Sequence, residues 1–285
     1  MKVALIQIDG KWKNLALMKL ATWHKERGDD ITYIDLSGYN FDRVYGSKIF
    51  MGGSGYDVKA KLPENIEEVI PDYELFNFSE GERIGFTSRG CIRNCEFCIV
   101  REKEGYIKEE KLDWLLKASK VILIDNNFLA SPKWKEKLEF FIKHKMKVCI
   151  TQALDVRLVN EGNAKLIAKV KWFNHRFTGR TLYFAFDDPK LMKVVDRGID
   201  TLIKSGVKAY WLMFYVLVGY NTTIEKDLER IYFLRSKKVK PFVMIYNNRK
   251  DDVQLRDLAR WCNLNYYKVI DFDKYKPNRK RFGKY

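Results

Sequence analysis

The sequence has no run of about 18 apolar residues, so no membrane-spanning helix is expected. It shows no self-similarity at a period of 20–50 residues, which sets aside solenoids and propellers. Histidine is scarce and scattered, at His24, His144 and His175. Cysteine occurs five times, an odd number, and no secretory leader is expected. A disulfide framework is therefore not expected, and a reducing cytoplasm is the expected location. Hydrophobic residues make up 46% of 285 positions, which excludes a disordered chain and suits one large or two modest domains.

Charge of one sign is also thin in the first part of the chain. Residues 1–80 hold 10 Lys+Arg against 13 Asp+Glu, a balance of −3, whereas residues 81–285 hold 43 against 24, a balance of +19. An excess of that size favours polyanions through phosphate contacts and counterion release, and it equally describes a lysine-rich surface. The segment 271–285 reads as a basic tail with interleaved aromatics, a composition suited to phosphate contact and base stacking. Nucleic acid is left open as a partner on these grounds.

Three of the five cysteines fall within eight positions, as Cys91-x3-Cys95-x2-Cys98. Three thiolates on one short loop can converge on a metal, and sulfur ligands favour iron–sulfur clusters, zinc or copper(I). A closed zinc site or closed cluster wants four protein ligands. No second Cys or His pair stands at zinc-ribbon spacing, because Cys149 and Cys262 are isolated. Those two read as small buried hydrophobes.

Alternating strand and helix patterns fill the chain. Val3–Ile8, a helix over Asn14–Arg27 stopped by Gly28, and Ile31–Ile34 make a β-α-β unit, with a third strand expected around Lys48–Met51 before Gly52-Gly53-Ser54-Gly55. The proline-bracketed segment Leu62–Pro71 reads as a linker. Strands are then expected at Arg83–Ser88, Val121–Ile124, Lys147–Thr151, Thr181–Phe186, Ala209–Val216 and Phe242–Tyr246. Helices are expected at Lys108–Ala118, Pro132–His144, Val159–Lys171, Lys190–Lys204 and Ile224–Arg235. The cysteines follow the first of these six strands, in the loop at its carboxyl end.

The cysteine spacing, with Phe97 directly before Cys98, resembles the signature of the radical S-adenosylmethionine (SAM) enzymes. The resemblance implies an α/β fold: a partial (β/α)6 barrel over 80–270, preceded by a small Rossmann-like, cobalamin-binding-like domain over 1–75. It implies that Cys91, Cys95 and Cys98 hold a [4Fe-4S] cluster whose fourth iron is chelated by SAM. It further implies reductive cleavage of SAM to a 5′-deoxyadenosyl radical, which abstracts hydrogen from a substrate that the sequence does not name. An external one-electron donor of flavodoxin or ferredoxin type is implied as a partner.

The chain departs from the family pattern in two places. Asp9–Asn14 places Lys11 where base-off cobalamin binding would put histidine, which with the short domain argues against cobalamin. Asp125-Asn126-Asn127 stands where many members carry Gly-Gly-Glu at the SAM amino group, making Asn126 and Asn127 candidates for that contact. At the other strand ends, Gln152 is a candidate for contact with SAM and Arg157 for its carboxylate, although Arg157 could simply pair with Asp155. Asp187 is a candidate for the ribose hydroxyls, and Phe97 and Gly219 for the adenine. Two alternatives stay open: a non-catalytic iron–sulfur or zinc protein that binds nucleic acid, and a cobalamin-dependent methyltransferase of the same superfamily.

Overall fold

The computed structural model describes residues 1–8, 13–33, 40–47, 63, 65–249 and 251–277. The chain divides into two compact units, Met1–Gly85 with Lys111–Val121, and Phe86–Glu110 with Ile122–Tyr285. The whole is mixed α/β with parallel sheets, the class that the alternating pattern implies. Among the described residues no helix is long and apolar enough to cross a membrane.

The first unit opens with β1 (Lys2–Gln7), α1 (Leu15–Lys25), β2 (Asp30–Tyr33) and β3 (Arg43–Ser47), and its sheet has the order β2-β1-β3. Both pairings of β1 are parallel. As the central strand β1 is covered on both sides, so Val3, Ala4 and Leu5 are buried, as a continuous apolar run requires. Helix α1 starts where the Asn14 side chain accepts from the amides of Ala16 and Leu17. It buries Leu17, Met18, Leu20 and Ala21. His24 is buried beside them, its ring nitrogens 2.7 Å from Asp29 Oδ2 and 3.1 Å from the Tyr45 hydroxyl.

Strand β3 lies just before the strand expected at Lys48–Met51, which falls outside the described residues, as do Asp9–Trp12 and the four positions Gly52–Gly55. In Leu62–Pro71, Ile66–Glu68 form one 3-10 turn. The Ile70 carbonyl accepts from the Thr22 hydroxyl, and the Asp72 amide donates to Met18 O, so this stretch is held against α1. Strand β4 (Glu82–Gly85) follows.

The second unit carries the cysteines. A two-residue strand β5 (Ser88–Arg89) leads into the cysteine loop, which ends in a short helix α2 (Val100–Glu104) and returns through β6 (Lys108–Glu109), paired antiparallel with β5. Here the expected helix over Lys108–Ala118 does not form. Its first two residues are taken by pairing with β5, and the remainder makes only a 3-10 turn at Asp113–Leu115. The Trp114 ring closes so tightly on Gly85 that a Cβ there would sit 2.8 Å from it.

Then come β7 (Lys120–Leu123), α3 (Trp134–Lys143), β8 (Lys147–Ile150), α4 (Glu161–Lys169), β9 (Lys171–Trp172), β10 (Leu182–Ala185), α5 (Met192–Lys204), β11 (Leu212–Val218), α6 (Ile224–Ser236), β12 (Lys240–Ile245) and α7 (Val253–Asn263). Strand β9 occupies the end of the expected Val159–Lys171 helix, because β9 pairs in parallel with β8 instead. Ala209–Trp211 form a 3-10 turn, and the strand expected there runs on to Val218.

Two sheets result, β4-β7-β8-β9 and β10-β11-β12, and a parallel bridge joins Leu154 to Phe184 between them. In β11 the burial alternates strictly. Leu212, Phe214, Val216 and Val218 are wholly buried, while Met213, Tyr215 and Leu217 are half-buried. Each fully buried side chain of this kind is worth about 1.5–3 kcal/mol. Helices α5 and α7 bury Val195, Ile199 and Leu202, and Leu255, Leu258 and Trp261, respectively.

Candidate functional site

The cysteine loop stands on a buried polar root. Thr87, Ser88 and Asp125 are all fully buried. One Asp125 carboxylate oxygen accepts from the Thr87 amide at 2.7 Å, and the other accepts from the Ser88 amide and hydroxyl at 2.9 Å and from the Thr87 hydroxyl. Burial pushes the Asp125 carboxyl up, while the Thr87 and Ser88 donors and Lys137 oppose it. Lys137, itself 3% exposed, donates at 2.9 Å to Thr87 O and to the Ser131 hydroxyl and pairs with Glu109 at 2.7 Å. Carboxylate and ammonium thus both hold the Thr87-Ser88 dipeptide, Asp125 through its amides and hydroxyls and Lys137 through Thr87 O. Neither Lys137 nor Glu109 was singled out in the sequence, since a lysine in a charged helix reads as a solvated face.

Gly90 is the turn out of this root. Its φ is +83°, and a Cβ there would lie 2.2 Å from Tyr106 O, so only glycine fits. Its amide donates to Asn126 Oδ1 at 2.9 Å. Asn127 donates through Nδ2 to Cys91 Sγ at 3.4 Å, and the Arg93 amide reaches the same sulfur at 3.3 Å. The Asn127 Oδ1 is buried with no hydrogen-bond partner. Both asparagines therefore meet the cysteine loop, and neither lines the cavity described below.

Cys91, Cys95 and Cys98 are free thiols of intermediate exposure, with the Cys98 amide donating to Cys95 O at 2.9 Å. Burial pushes the Cys95 thiol up, Arg157 opposes this, and Cys98, Asp187 and Cys91 reinforce it. The three sulfurs are thus electrostatic neighbours. Among the described residues, however, no group of three or more His, Cys, Asp or Glu side chains is gathered as a metal site. Cys149 and Cys262 are buried in the core, and burial pushes each thiol up to about 12.

A cavity of about 430 Å³ opens beside the loop and is lined by Cys95, Phe97, Asp155, Arg157, Asp187 and Tyr220, among others. Asp155 accepts from Arg93 Nε at 3.0 Å and from Arg157 Nε at 2.6 Å. The internal pairing of Arg157 with Asp155 is thus realised, and Arg157 still faces the cavity. Burial would push the Asp155 carboxyl up, but Arg157 and Arg93 hold it below its ordinary value. Asp187 behaves oppositely. Burial carries its carboxyl up to about 6, against the pull of Arg230 and Arg157. Arg230, fully buried on α6, donates to Phe186 O at 2.6 Å and Leu217 O at 2.7 Å and pairs with Asp227.

On the rim, Phe97 meets Tyr220 edge to face with centroids 5.4 Å apart, Tyr220 packs on Tyr246 at 4.7 Å, and its hydroxyl donates to Glu96 at 3.0 Å. Of the residues expected from sequence, the cavity brings together Cys95, Phe97, Arg157 and Asp187. Gln152 is exposed and is not part of its lining. Gly219 makes the turn, with φ +76° and its carbonyl accepting from Arg249, that delivers Tyr220 to the cavity. No protein-family model matches the chain, and no curated protein sequence matches it.

Proposed function

We propose that this protein is a radical SAM enzyme, with Cys91, Cys95 and Cys98 as the thiolate ligands of a [4Fe-4S] cluster and the adjoining cavity as the SAM site. One observation carries the reading: three free, partly exposed thiols at C-x3-C-x2-C spacing sit on a firmly anchored loop beside a cavity of about 430 Å³ lined by charged and aromatic groups. The donor set fits the cluster, since three thiolates leave one iron open. The three thiols share one loop, on which Ile92 and Ile99 are exposed.

When bound, the cluster and SAM supply the one-electron chemistry that yields a carbon-centred radical for hydrogen abstraction. The protein's own part is binding and orientation. Arg157, anchored by Asp155, offers its guanidinium to a carboxylate. Asp187 accepts from hydroxyls, and Phe97 and Tyr220, set edge to face on the rim, give aromatic contact for a base. Asn127 holds Cys91 Sγ through its Nδ2 and so acts on the cysteine loop rather than on the cavity. The bridge between the two sheets supports reading them as one partial (β/α)6 barrel, and the reaction calls for an external one-electron donor.

The test is anaerobic reconstitution with iron and sulfide, followed by SAM. The expected result is absorbance near 400 nm, an EPR spectrum that changes when SAM is added, and formation of 5′-deoxyadenosine. Protein that takes up no iron, or a cluster indifferent to saturating SAM, would overturn the assignment.

A further inference from the structure

The basic excess of the second unit is gathered at one end of its sheets. Strands β8 and β9 run parallel, as do β10, β11 and β12, and the bridge from Leu154 to Phe184 is parallel too. The amino ends of all five strands therefore share one end. Segments 143–147, 169–181 and 204–211 lead into β8, into β9 and β10, and into β11, respectively. Together they hold nine Lys or Arg and no Asp or Glu. The segments that follow β8, β10 and β11 at the other end, 151–158, 186–191 and 219–223, hold two cations against three carboxylates. The cavity, with Cys95 on its wall, stands at that second end.

Contacts join the three basic segments into one surface. Lys147 and Lys171 are register partners on β8 and β9, so two like charges start side by side and repel. The Lys147 ammonium lies 5.1 Å from the Phe173 ring centroid. The Arg180 guanidinium lies 5.6 Å from the same ring and 4.3 Å from that of Trp211. Trp211 in turn meets Tyr210 edge to face at 5.9 Å. None of the nine cations has an ion-pair partner among the described residues, whereas Lys137, Arg157, Arg230 and Lys237 of the same unit each hold a carboxylate. Uncompensated repulsion of this kind is relieved by an anionic partner.

The face also says which anion. Exposed, unpaired lysines and arginines suit a chain of phosphates, whose counterions they release. Tyr210, 59% exposed among them, offers its ring to a stacking base. It is the one large hydrophobic exposed in these segments, whereas a lipid surface or an interface with a folded protein would want several. We infer that the amino-end face of these sheets binds single-stranded nucleic acid, with phosphates on its lysines and arginines and a base stacked on Tyr210. Such binding needs no cluster at the opposite end.

The experiment titrates full-length protein into a fluorescein-labelled, mixed-sequence RNA of about 20 nucleotides, followed by anisotropy from about 50 to 300 mM NaCl. Saturable binding is expected, with log Kd rising against log salt by about 0.7 for each phosphate neutralised and by about 3 or more in all. The triple variant Lys171→Gln, Arg176→Gln, Lys208→Gln should weaken binding at least tenfold and lower that slope by about 2. Tyr210→Ala should weaken it about fivefold or more, and Tyr210→Phe should not. The control Lys103→Gln, Arg256→Gln, Lys226→Gln makes the same charge change at exposed positions of α2, α7 and α6 and should retain binding. Far-UV circular dichroism confirms that each variant is folded.

Equal losses in the two triple variants would reduce the effect to net charge and overturn the inference. Tighter binding of the duplex of the same sequence, or displacement by poly-L-glutamate or phosphatidylserine vesicles at equal charge, would also overturn it. So would loss of binding through Arg279→Gln, Lys280→Gln and Arg281→Gln alone, which would place the contact on the tail. Protein that binds RNA as described yet takes up no iron would remove the proposed function and leave this inference standing. Protein that cleaves SAM yet ignores RNA would do the reverse.

Discussion

The root and the tip of the cysteine loop are built on opposite principles. At the root, Thr87 and Ser88 are buried and held by Asp125 and Lys137, each of which makes several contacts to them or to their immediate partners. At the tip, Ile92 and Ile99 are exposed, the Cys91 sulfur meets only an amide and the Asn127 side chain at 3.3–3.4 Å, and Cys95 lies beside the Arg157 guanidinium. A fixed root with an adaptable tip is what a loop needs if it must keep its place and still close on something it does not contain. The root resists deformation because a buried charge with its partners removed is costly, whereas a half-exposed thiol loses little when it moves.

The largest effect expected from breaking that contrast is at the root. Asp125→Ala leaves the buried amides and hydroxyls of Thr87 and Ser88 without their acceptor and should destabilise the fold by about 3–5 kcal/mol. Urea denaturation followed by circular dichroism measures this, and a loss below about 1 kcal/mol would mean that the clamp is not holding the loop. Gly90→Ala comes next. It forces a left-handed φ and a clash with Tyr106 O, which should lower stability by about 1–3 kcal/mol and reduce thiol accessibility to a maleimide reagent.

Asp187 sharpens the comparison from the cavity side. Its folded pKa, about 6, lies above the ordinary carboxylate value of 3.8, so the native state holds the proton more tightly than the unfolded chain. Stability from this group is therefore greatest at low pH, falls as pH rises between about 4 and 6, and levels off above that. Asp187→Asn should be more stable than wild type at pH 7 by about 1–2 kcal/mol, with the difference vanishing near pH 4. A variant less stable than wild type at pH 7 would show that Arg230 and Arg157 need this charge.

The smallest stability effect is expected at the tip. Cys91→Ala, Cys95→Ala and Cys98→Ala should each change stability by less than about 1 kcal/mol in metal-free protein yet abolish iron uptake. Cys149→Ala should retain iron and lose about 1 kcal/mol from the core. Loss of iron in Cys149→Ala or Cys262→Ala would break the three-ligand assignment.

Reading the chain from its residues went furthest where a signal is local. Spacing placed the three cysteines, and period placed α1, α3, α5 and α6 and most of the strands to within a few residues, because turn length and hydrophobic period are short-range properties. It failed where partners are distant. The Lys108–Ala118 helix lost to pairing with Ser88–Arg89, and β9 formed because β8 offered a free edge. Arg157 and Asp187 could be named from strand ends, but whether they share a cavity with Cys95 and Phe97 depends on three loops closing together. Lys137 and Arg230 were invisible in the sequence, since a cation on an amphipathic helix looks solvated until the fold wraps carbonyls around it. By itself the sequence determined that three thiols share one loop, because covalent spacing alone keeps them together. Only the tertiary structure decided what stands around them, because burial, pKa and hydrogen-bond partners arise from residues far apart in the chain that the packed sheets bring side by side.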